Sequence, residues 1–198
     1  MKLILASRSP RRQELLAMTG FPFEVAPSSC DEDDMLSRQW RRTNPDLDER
    51  TLVERLALAK AEASLREHPD CLILSADTIV SLDGMLFGKP EDKNEARKML
   101  RTLAGKTHTV DTGVALLTAS SVDVFLSVSH VTFHTLSPAI ESLIDRYVAS
   151  GLPLDKAGAY GIQELGGLLI SRIEGDFFSV MGLPVSEVYQ RLVAYDID

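Results

Sequence analysis

The apolar run Lys2-Leu3-Ile4-Leu5-Ala6 breaks directly into Ser7-Arg8-Ser9-Pro10-Arg11-Arg12, and no other stretch constrains the fold as strongly. A continuous apolar run without alternation suits a strand covered on both faces. Ser9 before Pro10 signals a helix start, because the hydroxyl can cap an orphan N–H and proline fits the first turn. Leu15-Leu16 continues that helix and Gly20 stops it. A buried strand feeding straight into a helix predicts an α/β chain with a mixed sheet, and the remaining sequence repeats the alternation. Residues 23–26 read as a second strand, 27–48 as a polar loop and 49–67 as a long helix ended by His68-Pro69. Residues 71–76 (CLILSA) read as a buried strand that ends at Asp77. Leu82-Asp83-Gly84-Met85 reads as a hairpin turn and 91–104 as a helix with the stripe Ala96, Met99, Leu100, Leu103. An antiparallel pair over 108–118 and 122–134 follows, then a helix from Ser137-Pro138 to Gly151. The last strand spans 168–174, and Pro184 opens the final helix.

With 198 residues the chain is expected to form one domain with a core that needs no covalent staple. The opening residues resemble an export signal, but the apolar stretch is only four residues long, so export is not expected. No apolar run approaches the roughly 18 residues of a membrane helix. Two cysteines, Cys30 and Cys71, fit a reducing cytoplasm better than a disulfide scaffold. The net charge of −8 argues against non-specific nucleic-acid binding, whose affinity comes from phosphate neutralisation. That average conceals an asymmetry. Lys2, Arg8, Arg11 and Arg12 open the chain with no acid among them, and residues 31–34 are Asp-Glu-Asp-Asp. A basic island followed by an acidic cluster points to an anionic substrate plus a metal.

Five constellations could carry chemistry. Residues 7–12 place hydroxyls and guanidinium forks at a helix N-terminus, where backbone N–H groups and the helix dipole favour anions; the alternative is a solvated basic helix start. Asp77 is expected at a strand end, either as a functional carboxylate or as a turn cap. Lys60 shares a helix face with Val53, Leu56 and Ala63, so it either snorkels or turns its ammonium into a cleft. Lys89-Pro90 could reach a phosphate or be solvated. Residues 155–163 (DKAGAYGIQ) are dense in small residues that allow close backbone approach to a ligand, or else they form an ordinary surface loop. Other motifs fail. Gly84 to Pro90 has three residues between its glycines where a P-loop has four, and Pro90 replaces the metal-binding hydroxyl. Ser81 stands where an aspartate-nucleophile phosphatase needs its aspartate. His68, His108, His130 and His134 show no metal spacing, and His130 and His134 read as structural.

Together these residues resemble the Maf family of nucleoside triphosphate pyrophosphatases over nearly the whole chain. The resemblance rests on Ser7-x-Ser9-Pro10-Arg11-Arg12-x-x-Leu15-Leu16, Asp31-Glu32, Lys60, Ala76-Asp77-Thr78-Ile79-Val80, Gly88-Lys89-Pro90 and 155–163. It implies an elongated mixed sheet flanked by helices, two lobes with a central cleft, a homodimer, and hydrolysis of a nucleoside triphosphate between the α- and β-phosphates with Mg²⁺ or Mn²⁺. By the same resemblance Asp77 is the catalytic base and a metal ligand, and Glu32 is a second metal carboxylate. Ser7, Arg12, Lys60 and Lys89 contact phosphates, and Arg11, Thr78 and Gln163 lie where base selectivity is decided. The ADTIV and GIQ signatures look like the dTTP/UTP subfamily. The sister subfamily, which takes 7-methyl-GTP, tends to carry Trp where this chain has Arg11, and Arg offers no such aromatic platform. An all-oxygen donor set with no Cys/His cluster suits Mg²⁺ or Mn²⁺ rather than Zn²⁺.

The segment 33–50 is longer than the pattern requires and contains Arg38-Gln39-Trp40-Arg41-Arg42. It reads as a loop insertion, with a lid or a dimer contact as the alternative. Two other functions stand beside the pyrophosphatase. A nucleotide-binding regulator of cell division or septum formation would need the phosphate contacts but no general base. A phosphomonoesterase is disfavoured by the missing aspartate nucleophile.

Overall fold

The computed structural model describes residues 1–27 and 48–198. The first strand, β1 (Leu3–Leu5), is wholly buried and runs parallel to a neighbour on each side, β2 (Glu24–Val25) and β3 (Leu72–Leu82). This interior position explains why its residues do not alternate between apolar and polar. The sheet continues through β5 (Thr107–Leu117), β6 (Val122–Phe133) and β7 (Ile170–Glu174), in the order β2-β1-β3-β5-β6-β7, with β4 (Met85–Phe87) paired to the distal part of β3. The β3–β4 pair is antiparallel and joined by Asp83-Gly84, both at positive φ (52° and 76°), as a two-residue type I′ turn requires. The sheet is therefore mixed, and the expected α/β class holds.

The helices are α1 (Pro10–Ala17), α2 (Glu49–Glu67), α3 (Lys93–Leu103), α4 (Pro138–Ser150), α5 (Phe177–Met181) and α6 (Val185–Leu192). Ser9, Asp48, Asp92 and Ser137 cap the first four with side-chain oxygens, each accepting from a backbone N–H in the first turn. No described helix is long and apolar enough to cross a membrane.

Three expectations need correction. Asp77 does not end its strand: β3 continues to Leu82 because β4 pairs with Val80, Ser81 and Leu82. The last strand begins at Ile170 rather than at 168, because Leu165–Leu169 forms a 3₁₀ turn. The strand expected over 122–134 ends at Phe133, so of the two exposed histidines His130 lies on it and His134 just beyond it.

The described chain divides into two compact units, each assembled from separate segments. The first comprises Met1–Thr78, Asp111–Ser127 and Gly182–Asp198. Within it Ile4, Ala6 and Ile73 pack with Ala57 and Ala61 of α2 and with Ala115 and Leu117 of β5. The second comprises Ile79–Val110 and Val128–Met181. Its larger core joins Leu100 and Leu103 of α3, Ile144 and Tyr147 of α4, Phe133 of β6 and Tyr160. Each fully buried aliphatic side chain in these cores contributes roughly 1.5–3 kcal/mol through removal from water.

Candidate active site

The strand–helix turn after β1 holds the first group of candidate residues. β1 stops at Leu5, which pairs with Leu74, whereas β3 runs on past it. Asp77 and Thr78 thus stand just beyond the level where the neighbouring strand has turned away into Ser7 and α1. The crevice argument for the carboxyl ends of parallel strands applies here through the end of β1, not of β3.

Arg12 organises this turn. It is 8% exposed, and its guanidinium reaches three oxygens. Nε donates to the Gly182 carbonyl at 2.9 Å, Nη2 to Thr78 Oγ1 at 3.2 Å and Nη1 to Ser7 Oγ at 3.4 Å. Thr78 Oγ1 also shares a hydrogen bond with Thr112 Oγ1 at 2.9 Å. A flat fork with divergent donors suits three acceptors set apart around it. Gly182 has φ +117°, a conformation that L side chains rarely adopt, and this turns its carbonyl toward Arg12.

The second feature is an ion pair. Lys60 is 1% exposed on α2, and its Nζ donates to Asp77 Oδ1 at 2.6 Å. Lys60 therefore does not snorkel. Two charges buried together are tolerated because each offsets the desolvation of the other; removing one partner of such a pair typically costs about 3–5 kcal/mol. Lys60 takes Oδ1 of that carboxylate. Successive residues on a strand point to opposite faces, so Asp77 meets α2 on one face while Thr78 meets Arg12 on the other.

Arg11 is half-buried on α1. Lys89 and Gln163 are exposed and belong to the second unit. Their two loops are tied together, since the Gly158 N–H donates to the Gly88 carbonyl at 3.2 Å. Gln163 borders a groove of about 420 Å³ lined also by Glu164, Leu168, Arg172 and Phe177. Asp31, Glu32 and most of the 33–50 segment lie outside the described residues.

The motif at 155–163 is not a plain surface loop. A 3₁₀ turn at Leu152–Asp155 leads into it, a second lies within it at Ala157–Ala159, and Lys156, Gly158, Ala159 and Tyr160 are buried. Tyr160 Oη lies 2.8 Å from His108 Nε2, and the two rings meet edge-to-face with Phe133. Burial pushes the His108 imidazole down to about 4, so it is neutral at physiological pH.

No group of three or more His, Cys, Asp or Glu side chains forms a metal cage among the described residues. They do supply one hard oxygen ligand, Asp77. That fits a cation such as Mg²⁺, which keeps several waters and takes other ligands from substrate phosphates, and does not fit zinc.

Sequence reasoning missed Gly182 and Thr112. Gly182 precedes Leu183-Pro184, and nothing local marks its carbonyl as the acceptor of a side chain 170 residues upstream. Thr112 carried a readable signal, since Asp111-Thr112 is a polar pair between Val110 and the run Gly113 to Leu117.

Buried cations, hydroxyls and a carboxylate set around a parallel strand end define an α/β protein equipped to handle an anion. Residues 2–195 match the family described as Maf-like protein, and the chain belongs to that family. It is 47% identical over its full length to a dTTP/UTP pyrophosphatase of Moorella thermoacetica, covering 96% of that protein. It is 43% identical to a protein of the same name from Bacillus pumilus, with 99% of this chain and 97% of the relative aligned. A Bacillus anthracis relative, again named dTTP/UTP pyrophosphatase, is 44% identical, with 100% of this chain and 97% of the relative aligned.

Proposed function

We propose that this chain hydrolyses dTTP and UTP to the nucleoside monophosphate and pyrophosphate. The observation that carries the reading is the buried Lys60–Asp77 pair, with Thr78 next in the chain held by Arg12. The full-length relatives named dTTP/UTP pyrophosphatase supply the substrate class.

In this reading Arg12, Ser7, Lys60 and Lys89 bind the triphosphate, whose charge they neutralise and whose α-phosphorus they orient. Asp77 Oδ2 accepts a proton from the attacking water as the new O–P bond forms and the bond to the β-phosphate oxygen breaks. Lys60 holds the carboxylate in place through Oδ1. Mg²⁺ or Mn²⁺, held by Asp77 and Glu32, would add further charge neutralisation at the phosphates. Arg11, Thr78 and Gln163 select the base. Gln163 carries one acceptor and two donors, which can match the carbonyl–NH–carbonyl edge of thymine and uracil. The working form is a cytoplasmic homodimer.

The test is incubation with dTTP and Mg²⁺, followed by product identification. Pyrophosphate with dTMP is the expected result. Tight binding without turnover would instead fit the regulator, and orthophosphate alone would fit a phosphomonoesterase.

A further inference from the structure

Residues Ile162 and Gln163 sit at the tip of a turn whose two flanks converge on a single oxygen. On one side the Gly161 N–H donates to Tyr147 Oη at 3.0 Å; on the other, Tyr147 Oη donates to Glu164 Oε2 at 3.3 Å. The turn is also closed by the Glu164 N–H, which reaches the Gly161 carbonyl at 3.4 Å. Tyr147 lies on α4 with 0% exposure, so its hydroxyl is presented from a rigid helix. Burial, and to a lesser degree the Glu164 carboxylate, drive the phenol further from ionisation, so it remains a donor.

Lys156 completes the arrangement. It is 5% exposed, its Nζ lies 3.2 Å from Glu164 Oε2, and it donates to the Leu152 carbonyl at 2.6 Å and to Asp155 Oδ1 at 2.7 Å. Packing leaves little slack, because a Cβ at Gly166 would fall 2.8 Å from the Gly161 carbonyl oxygen and 3.0 Å from the Tyr147 ring. Gln163 itself is exposed. An exposed glutamine has many rotamers, and it discriminates a base only if its backbone is held in place.

We propose that Tyr147 is a positioning residue for base selectivity: its hydroxyl clamps both flanks of Ile162-Gln163 and so fixes where the Gln163 amide is presented. This rests on the reading of Gln163 given above. The clamp explains why a buried tyrosine, a buried lysine and a glutamate converge on a turn that packing alone could hold.

The experiment uses Tyr147→Phe, which removes the hydroxyl and keeps the ring, beside wild type and Gln163→Ala. Amide hydrogen exchange over residues 160–165 reports the turn, and kcat/KM for dTTP, UTP, ATP and GTP reports selectivity. Tyr147→Phe is expected to speed exchange at Gly161. It should also lower the preference for dTTP over ATP about tenfold, mostly through KM, as for the loss of one specific hydrogen bond. Glu164→Gln keeps an acceptor for Tyr147 Oη and should retain most of the preference. It serves as the second variant should Tyr147→Phe fold poorly, and loss of the preference in Glu164→Gln would then overturn the clamp. If wild type is selective and Gln163→Ala loses selectivity while Tyr147→Phe keeps it, the positioning role is overturned and the role of Gln163 stands. If wild type shows no preference, or Gln163→Ala leaves it unchanged, the reading of Gln163 fails and the positioning role falls with it.

Discussion

The Ser7–Arg12–Asp77 region and the 155–167 region hold their polar groups by different means. The first uses full charges buried on regular elements: Lys60 on α2 against Asp77 on β3, and Arg12 on α1 across three oxygens. The second ties a chain of short turns to neutral groups on neighbouring elements, Tyr147 Oη and the His108–Tyr160 pair, beside one buried cation, Lys156, that meets Asp155 and Glu164. Under the proposed function, the contrast would match the two halves of a nucleotide. Phosphates are common to every triphosphate and need strong, fixed charge. A base edge is recognised by the direction of its hydrogen bonds.

That contrast can be broken most severely at Asp77. Asp77→Asn should lower kcat/KM by ~10²–10⁴, the usual worth of a positioned general base. Its side-chain oxygen can still accept from Lys60, so circular dichroism should report an intact fold with a lowered melting point. Near-wild-type turnover would make the pair purely structural.

The next largest effect separates the regions by pH. His108 is neutral when folded, with its pKa near 4 against 6.5 when exposed. A depressed folded value means the contribution is fully present above pH 6.5 and declines as pH falls toward 4. The loss can reach about 3 kcal/mol. Denaturant melts at pH 7.5 and 4.5 should show it, and His108→Gln should flatten that part of the profile. An unchanged profile in the variant would assign the acid sensitivity to other groups.

Arg12→Lys sharpens the comparison at one residue. Lysine keeps the charge but cannot span Gly182, Ser7 and Thr78. A loss of about 10- to 100-fold in kcat/KM is expected, matching one charged hydrogen bond of about 1.5–3 kcal/mol. Equal kinetics would mean that only charge matters there. The smallest effect is expected at Gln163→Ala, about a tenfold loss of preference for dTTP over ATP with turnover largely kept. A parallel fall for all four triphosphates would move Gln163 from the base to the phosphates.

What could be read from the sequence follows the same division. The β1–α1 unit was legible because its signals are local: an apolar run, a cap and a first-turn proline. So was the Asp83-Gly84 hairpin. Lys60 was visible as a charge in an apolar stripe, but its partner is 17 residues away on another element. Strand length at Asp77 was misread because a strand ends where its partners end, and β4 lies later in the chain. The 155–167 turns were the least legible. Their order comes from Tyr147 and His108, which lie upstream in the sequence and carry no mark of which backbone they will hold.

The contact between Arg12 and the Gly182 carbonyl joins residues 170 positions apart. A ribosome adding about 5–20 residues per second needs roughly 10–30 s between the two. Throughout that interval the arginine has been made and its carbonyl acceptor has not. The first unit is also closed only by its third segment, Gly182–Asp198. A chain released early therefore lacks part of the array that orients Arg12, whatever else it has folded. The Arg12 fork therefore acquires its full set of acceptors only once synthesis has passed Gly182.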